Sequence, residues 1–208
     1  FVKLDVRDKA AVIAACQGVD SVIHNASLVH TKHNRVDDVW AVNLDGAKNI
    51  LAACEANAIA RLVYVSSASV VYEGKDIRGG DESLPYTSLS QAPYADSKLE
   101  AEKLSLAFSS NVSGQGNTLV CAVRPHVIFG TGDGRLIPAI MDKVKKGQLS
   151  RQVGQREKKW DFTYIDNLVD AIVTCEEKLV AGSPAAGQAY FVTNGEPMPF
   201  FEFAERLI

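Results

Sequence analysis

The stretch RLVYVSS, residues 61–67, predicts the central strand of a β-sheet. Its side chains are apolar at both alternating positions, which is typical of a strand that is covered on both faces. It follows a helical pattern from about Val36 to Asn57, in which apolar side chains recur at spacings of three and four residues. The fold class is therefore predicted to be α/β, with a mainly parallel sheet.

The rest of the chain shows the same alternation of strands and helices. Upstream, FVKLDV (1–6) and SVIHNA (21–26) are interpreted as strands, separated by a short helix that ends at Gly18. Downstream, the expected elements in chain order are a helix within 91–104, a strand at 118–125, a helix at 136–146, a strand at 161–165, a helix at 166–179, a strand at 189–193 and a final helix. Ligands of such sheets bind beyond the carboxyl ends of the strands. Those ends are predicted at Asn25, Ser67 and Pro125.

The composition argues against several classes of protein. The 208 residues are 47% hydrophobic and 23% charged, with a net charge of −3, which is ordinary for a globular domain. The basic residues are scattered, without the interleaved aromatic residues that would indicate nucleic-acid binding. Apolar runs end well before the roughly 20 residues of a membrane span. His30 and His33 have no third ligand near them in the sequence, so no metal site is predicted.

A long polar region separates the central strand from the next helix. Residues 68–93 are rich in glycine, serine, proline and aspartate and are too many for a simple connection, so we expect a lid or substrate loop. In the helix that follows, Pro93 occupies the first turn, where proline is tolerated, and Glu100 and Glu102 are expected to face solvent. The glycines of FGTGDG (129–134) do not have the spacing of a dinucleotide motif, and the segment is interpreted as a turn.

Tyr94 and Lys98 stand four residues apart in this predicted helix, so the phenol and the ammonium lie on one face, one turn apart. Lowering the pKa of a tyrosine from about 10 to about 7, where it can act as a base, requires roughly 4 kcal/mol. A lysine charge about 4 Å away supplies roughly that amount at an effective dielectric constant of about 20. Ser67 ends the central strand, and its hydroxyl can share a substrate oxygen with the phenol. Taken singly, the three residues also fit a turn cap, a packed tyrosine and a solvated lysine.

Seven short motifs can be followed in order along the chain. They are DVRD (5–8), HNAS (24–27), Asn43 with Gly46, YVSSASVVYEG (64–74), YADSK (94–98), RPHVIFG (124–130) and DFTYIDN (161–167). Together they resemble the extended short-chain dehydrogenase/reductase superfamily. Within it, SSASVVYEGKDIRGGDESLPY (66–86) and YFVTNGEPMPFFEF (190–203) are similar to the 3β-hydroxysteroid dehydrogenase family, above all to its sterol-4α-carboxylate 3-dehydrogenases.

This resemblance implies roles for four residues in catalysis. Tyr94 would be the general base for a 3β-hydroxyl, and Lys98 would depress the pKa of Tyr94 and bind the nicotinamide ribose. Ser67 would hold and polarise the reacting oxygen. Asn43 would support the site through a water or backbone relay, and its alternative is a helix asparagine that binds neighbouring backbone.

The resemblance also implies that NAD is the cofactor, with NADP left open. The residues implied to line its site are Asp5 and Val6 at the adenine, Asn25, Ala26 and Ser27 beneath the dinucleotide, Pro125 and Val127 beside the nicotinamide, and Ser66, Tyr94 and Lys98. The family's glycine-rich phosphate loop has no counterpart in the 208 residues, nor has the acidic or basic residue that separates NAD from NADP.

The implied fold is a Rossmann-like, doubly wound parallel sheet in which FVKLDV is the third strand. Two strands that should separate it from SVIHNA are missing, so we expect an N-terminally truncated sheet, a partial record of a longer chain, and no pairing between these two segments. Residues 1–130 are predicted to be a partial dinucleotide-binding core with the catalytic residues. Residues 131–208 are predicted to be a small C-terminal substrate-binding part, interleaved with the core.

The activity implied is NAD(P)-dependent oxidation of a 3β-hydroxysteroid or sterol, with decarboxylation if the substrate is a 4α-carboxysterol. The alternatives are another extended reductase acting on a sugar nucleotide or a flavonoid ketone, and an inactive remnant that binds a partner. The apolar residues of 70–93 favour a flat lipid over a charged diphosphate. The expected partner is a small-molecule sterol and not nucleic acid. The resemblance allows a homodimer, membrane association through segments outside these residues, and a location in the cytoplasm or at the endoplasmic reticulum membrane surface.

Overall fold

The computed structural model describes residues 1–148 and 157–207. In chain order its helices are α1 (Lys9–Ala15), α2 (Val36–Trp40), α3 (Gly46–Ala56), α4 (Pro93–Phe108), α5 (Ser110–Ser113), α6 (Leu136–Lys145), α7 (Ile165–Lys178) and α8 (Phe200–Arg206). Its strands are β1 (Ser21–His24), β2 (Arg61–Val65), β3 (Leu119–Pro125), β4 (Ile128–Phe129), β5 (Lys159–Trp160), β6 (Thr163–Tyr164), β7 (Ala189–Val192) and β8 (Met198–Pro199). A π-helical turn (Ala41–Asp45) joins α2 to α3, and a 3₁₀ turn (Ala68–Val71) follows β2.

The main sheet has the strand order β1–β2–β3–β7. The first three strands are parallel, with Ser21 opposite Arg61 and Arg61 opposite Leu119. β2 therefore has a neighbour on each side, and its residues Leu62 to Val65 are all buried. The prediction of a central strand that is covered on both faces is confirmed, as is the α/β class with a parallel sheet.

The first residues, FVKLDV, do not form the strand that their sequence predicts. Residues 1–5 have no regular structure, and Val6 begins a turn. A strand needs a hydrogen-bonding neighbour, and none of the strands in the described part of the chain runs beside residues 1–6. The segment is held instead by a side chain, because Asn49 Nδ2 donates to the Val6 carbonyl at 2.9 Å. The expectation that FVKLDV does not pair with SVIHNA is confirmed.

The predicted helix from Val36 to Asn57 is present, but a π-helical turn interrupts it at Ala41–Asp45. A turn of this kind inserts one residue into the helical period, and it is often found at functional sites. Apolar spacing of three and four residues does not indicate such a turn. The polar Asn43 lies within this turn and is buried.

Helix α4 begins at Pro93, which occupies its first position as predicted. Glu100 is exposed, but Glu102 is fully buried, so the prediction that both face solvent was wrong for Glu102. The reason is a partner that is distant in sequence. Arg124 of β3 places its Nη2 2.6 Å from Glu102 Oε1, and a paired charge can be buried where a lone one cannot.

The helices cover the sheet with apolar side chains. Val12 of α1 and Leu51 of α3 pack with Leu62 of β2 in one core cluster. Ala101 of α4 packs with Tyr64 of β2 in a second cluster. Because α4 lies directly over β2 at this point, its first turns are fixed close to the carboxyl end of that strand.

The chain divides into two compact units, Phe1–Arg124 with Ile172–Phe191, and Pro125–Ala171 with Val192–Ile208. In the second unit, β4 pairs with β6 in parallel and β5 pairs with β8 antiparallel. Its core is aromatic: the rings of Phe162 and Phe203 stack with centroids 3.8 Å apart. The functional division into 1–130 and 131–208 stays a prediction.

The predicted strands at 21–26, 118–125, 161–165 and 189–193 and the predicted helices at 136–146 and 166–179 overlap β1, β3, β6, β7, α6 and α7, and FGTGDG contains the expected turn before α6. The short elements α5, β4, β5 and β8 were not predicted. The basic segment 151–160 lies outside the described residues except for its last four. None of the helices in the described ranges is long and apolar enough to cross a membrane.

Candidate active site

Lys98 is the charged residue among the four predicted catalytic residues, and only 2% of its surface is exposed. Its Nζ donates to the Val65 carbonyl at 2.5 Å and lies 4.2 Å from the centroid of the Tyr64 ring. Burial lowers the pKa of Lys98 to about 7, while the negative charge of Glu102 acts in the opposite direction. Lys98 is therefore not a solvated lysine, and its ammonium is held at the carboxyl end of β2.

Tyr94 is half-buried at the second residue of α4, one turn before Lys98. Between them, Ser97 Oγ donates to the Tyr94 carbonyl at 2.9 Å. The backbone that carries the phenol is thus fixed by a side chain of its own motif.

Asn43, in the π-helical turn, is 1% exposed and ties two other segments together. Its Oδ1 accepts from the Leu28 N–H at 2.7 Å, and its Nδ2 donates to the Leu28 carbonyl at 3.3 Å. Nδ2 also donates to Ser97 Oγ at 2.9 Å. Asn43 therefore links the loop after β1 to the first turn of α4. A catalytic role for Asn43 stays a prediction.

Ser67 lies two residues beyond the end of β2, in extended backbone just before the 3₁₀ turn. Its Oγ accepts from the Ser69 N–H at 3.2 Å and from Ser69 Oγ at 2.9 Å. A hydroxyl that accepts two hydrogen bonds still has its own proton to donate. Ser67 is thus a turn cap, as one reading of the sequence has it, and is also able to donate to a substrate oxygen.

Four of the residues implied to bind the cofactor line one cavity of about 630 Å³. Asp5, Val6, Ala26 and Ser27 all contribute to its wall. The structure therefore brings together residues from the beginning of the chain and from the loop after β1.

Gly46 explains how these segments approach so closely. A Cβ at this position would lie 2.9 Å from Val6 Cγ2, closer than side chains normally come. The absent side chain lets residues 5 and 6 rest against the start of α3, where Asn49 holds the Val6 carbonyl. The binding of a cofactor in this cavity stays a prediction.

The other residues implied to bind the cofactor are more scattered. Asn25 is exposed directly after β1. Ser66 donates its N–H to the Val123 carbonyl at 2.7 Å and buries its hydroxyl, which has no hydrogen-bond partner within residues 1–148 and 157–207. Pro125 ends β3, and Val127 belongs to the second unit, where its carbonyl accepts from the Thr163 N–H at 2.9 Å. Their contact with a cofactor stays a prediction.

Two buried polar residues next to Lys98 were missed in the sequence. His24 and Tyr64 face each other across the β1–β2 register, with ring centroids 5.6 Å apart. Burial and the charge of Lys98 lower the pKa of His24 to about 4, so the imidazole is neutral at pH 7. Strand alternation offered a signal, because it places both residues on the face toward α4. Apolar strand patterns, however, carry no information about which helix covers them.

This arrangement can remove a proton from a hydroxyl group. A phenol at Tyr94 is a proton acceptor when a nearby positive charge stabilises the phenolate, and Lys98 can provide that charge. Ser67 can donate to the same oxygen. The low dielectric around buried Lys98 makes its charge more effective than it would be in water.

Comparison with known proteins places the chain in a family. The family model described as "3-beta hydroxysteroid dehydrogenase/isomerase family" matches residues 1–208. The chain is 36% identical over 213 residues to 3beta-hydroxysteroid-dehydrogenase/decarboxylase isoform 1 of Arabidopsis thaliana, a match that covers 100% of the chain and 47% of the relative. It is 38% identical over 206 residues to 2-alkyl-3-oxoalkanoate reductase of Stenotrophomonas maltophilia, covering 98% of the chain and 60% of the relative.

Among solved structures, the epimerase Mth375 of Methanothermobacter thermautotrophicus superposes with a TM-score of 0.83 at 23% identity, covering 100% of the chain and 61% of that protein. At this identity the likeness shows the fold alone, and it confirms the Rossmann-like prediction. The chain spans about half the length of the curated relatives it matches. Because the family model extends over every residue from 1 to 208, the chain belongs to the 3-beta hydroxysteroid dehydrogenase/isomerase family.

Proposed function

We propose that the protein is an NAD-dependent dehydrogenase that oxidises the 3β-hydroxyl of a steroid or sterol. The substrate proposed is a 4α-carboxysterol, whose 3-ketone product readily loses the neighbouring carboxylate as CO₂. The observation that carries the proposal is the buried Lys98, which is held at the end of the strand leading to Ser67, one helical turn from Tyr94. The match of the whole chain to a hydroxysteroid dehydrogenase family supports the choice of substrate.

Each of the three side chains has a distinct task in this reaction. Tyr94 accepts the proton of the 3β-hydroxyl, and Ser67 donates a hydrogen bond to the same oxygen and holds it in place. The protonated form of Lys98, which is partly populated at neutral pH because its pKa is about 7, stabilises the phenolate form of Tyr94 through its positive charge. Bound NAD supplies the acceptor for the hydride that leaves C3. The proton and the hydride together account for the two hydrogens lost in forming the ketone.

The cavity between residues 3–6 and the loop after β1 would hold the adenine end of the cofactor. Asp5 is suited to this position because its carboxylate stays ionised. Hydrogen bonds from Arg7 lower the pKa of Asp5 to about 2. Ala26 and Ser27 leave room for the dinucleotide to approach the backbone.

A second candidate is an oxidoreductase of open-chain 3-hydroxy or 3-oxo acids. The observation that favours it is the 38% identity to a 2-alkyl-3-oxoalkanoate reductase. Such a compound shares one feature with a 3-keto-4α-carboxysterol, namely a carboxylate one carbon away from the reacting carbonyl. Tyr94, Ser67 and Lys98 would have the same tasks with either substrate. The two substrates differ in the apolar surface that they present to the protein.

An oxidation assay separates the two candidates. The full-length protein is incubated with NAD and, in parallel, with a 3β-hydroxy-4α-carboxysterol, its 3α-hydroxy epimer, a 2-alkyl-3-hydroxyalkanoate and a sugar nucleotide. We expect NADH formation and CO₂ release with the 3β-sterol and at most weak activity with the epimer. Turnover only with the open-chain acid would support the second candidate. Turnover only with the sugar nucleotide, or none at all, would contradict both.

A further inference from the structure

Tyr86 joins the long loop between β2 and α4 to a buried ion pair. Tyr86 donates its hydroxyl proton to Glu102 Oε1 at 2.8 Å. Glu102 in turn accepts from Arg124, through Nε at 3.0 Å and Nη2 at 2.6 Å. The three residues come from the loop, from α4 and from β3, and Glu102 is fully buried while Arg124 is 4% exposed. Glu102 lies one turn beyond Lys98 on the same helix.

Several neighbouring contacts hold the same part of the loop. The Thr87 N–H donates to the Val70 carbonyl at 2.9 Å, and the Phe191 N–H donates to Glu82 Oε1 at 2.8 Å. Leu84 and Tyr86 pack against a buried apolar cluster that includes Leu99 of α4. The segment 82–88, which we name the anchored segment, is thus fixed from three sides.

The part of the loop before the anchored segment, residues 72–81, is more exposed to solvent. Residues 72–81 are all exposed, and the large apolar side chains Tyr72 and Ile77 have 43% and 44% of their surface in solvent. Ser67 lies before this exposed part and Tyr94 lies after the anchored segment. The loop therefore connects two residues of the site. The anchored segment determines where the chain reaches α4 after the exposed part of the loop.

The Arg124 guanidinium also contacts two aromatic rings. Its Cζ lies 5.3 Å from the centroid of the Tyr86 ring and 5.4 Å from that of Phe191, within the range of cation–π contacts. Burial and the negative charge of Glu102 raise the pKa of Tyr86, so its phenol remains protonated and continues to donate. The carboxylate of Glu102 thus serves two partners at once.

We propose that Tyr86, Glu102 and Arg124 form a positioning cluster that fixes the anchored segment against the helix of Tyr94 and Lys98, and so sets the position of the loop for substrate binding. This inference rests on the proposed function. The cluster is expected to affect the binding of substrate and not the chemical step. None of its three residues is among those proposed to touch the reacting atoms. Tyr86 is the member that can be changed alone, since Glu102 and Arg124 remain paired without it.

The test uses the full-length protein and the variant Tyr86→Phe, which keeps the ring and removes only the hydroxyl. Tyr72→Phe is the matched control, because it removes a hydroxyl from the exposed part of the same loop. We expect amide hydrogen exchange in residues 82–88 to become at least tenfold faster in Tyr86→Phe, with β2 and α4 unchanged. We also expect KM for the sterol to rise about tenfold, with kcat and KM for NAD unchanged.

Two results would overturn the proposal. Unchanged exchange in 82–88 would show that the cluster does not hold the loop. Faster exchange with an unchanged KM for the sterol would show that the anchored segment does not contribute to substrate binding. A loss in kcat alone would lead to the same conclusion. Hydrogen exchange needs no substrate, so a protein that oxidises no sterol would fail the proposed function while the exchange comparison still decides whether the cluster anchors the loop.

Discussion

A lysine that is almost fully buried is costly, and Lys98 is the clearest case in this chain. Desolvation penalises its charged form, which is why the pKa falls to about 7. One carbonyl and the face of Tyr64 provide its contacts among the described residues. The spacing of Tyr94 and Lys98 could be recognised in the sequence, but the burial of Lys98 could not, because it depends on a strand whose Val65 lies 33 residues earlier in the chain.

The first prediction concerns the proton acceptor. Tyr94→Phe retains the ring but cannot take a proton, so we expect kcat to fall by a factor of roughly 10²–10⁴, which is typical of a lost general base. NAD affinity, measured by fluorescence titration, should stay within about threefold of the unchanged protein. Tyr72→Phe should have full activity. Equal activity of Tyr94→Phe and Tyr72→Phe would remove Tyr94 from the mechanism.

The second prediction concerns the pH dependence of stability. The pKa of Lys98 is lower in the folded protein than in the unfolded chain, so the folded state binds fewer protons between pH 7 and pH 10.5. Stability should therefore rise with pH in that window, and this contribution is lost again as the pH falls toward 7. At about 1.4 kcal/mol per pH unit, the rise due to Lys98 is up to about 5 kcal/mol.

Denaturant unfolding without cofactor, at several pH values, measures this effect. Lys98→Met cannot ionise, so its free energy of unfolding should lack the rise attributed to Lys98. Lys103→Met, which replaces an exposed lysine of the same helix, should keep it. Parallel pH curves for the unchanged protein and Lys98→Met would mean that the lysine is charged and well solvated in the folded state.

At the scale of elements, the π-helical turn is the feature with the clearest consequence. It contains the buried Asn43, whose amide binds Leu28 in the loop after β1 and Ser97. Sequence periodicity predicted the helix but not the turn, since one inserted residue leaves the apolar spacing nearly unchanged. The presence of a polar residue among apolar neighbours is the signal that could have indicated it.

The third prediction separates the structural from the functional part of Asn43. Asn43→Ala leaves the Leu28 backbone and Ser97 without this partner, and should cost about 1–3 kcal/mol of stability. Asn57→Ala is a matched control, because Asn57 also binds backbone carbonyls from the helix end. We expect similar losses of stability but at least a tenfold loss of kcat only for Asn43→Ala. Full activity in both would restrict Asn43 to packing.

The fourth prediction tests the close contact at the start of α3. In Gly46→Ala the new Cβ would meet Val6 Cγ2 at 2.9 Å, so the segment that lines the cavity must move. KM for NAD should rise several-fold with kcat little changed. Gly134→Ala is the control, since a Cβ there meets nothing within 4 Å. Equal NAD affinity in the two variants would contradict the assignment of the cavity to the cofactor.

At the scale of the whole molecule, local sequence patterns predicted what depends on local physics. Strand alternation and helical periodicity located the elements of the parallel sheet, and the order of motifs indicated the family. The errors at FVKLDV and at Glu102 have a common origin. A strand depends on a neighbouring strand and a buried carboxylate depends on its counter-charge, and a local sequence pattern shows neither.

The same reasoning separates the parts of the candidate site. Tyr94, Lys98 and Ser67 could be predicted, because a motif and a strand end determine where they lie. His24, Tyr64 and the pairing of Arg124 with Glu102 emerged only from the packing of α4 on the sheet. The dehydrogenase activity and the sterol substrate are proposals that the match to this family supports. A homodimer and a location in the cytoplasm or at the endoplasmic reticulum membrane surface stay predictions.

The central claim is that the site removes a hydride from C3 of a 3β-hydroxysterol. The most direct measurement follows deuterium from a substrate labelled at C3, using the full-length protein and mass spectrometry of the dinucleotide product. We predict that the reduced cofactor carries one deuterium from every labelled sterol consumed, and that Tyr94→Phe forms it far more slowly. Reduced cofactor without deuterium, or no reduction of cofactor by the sterol, would contradict the account.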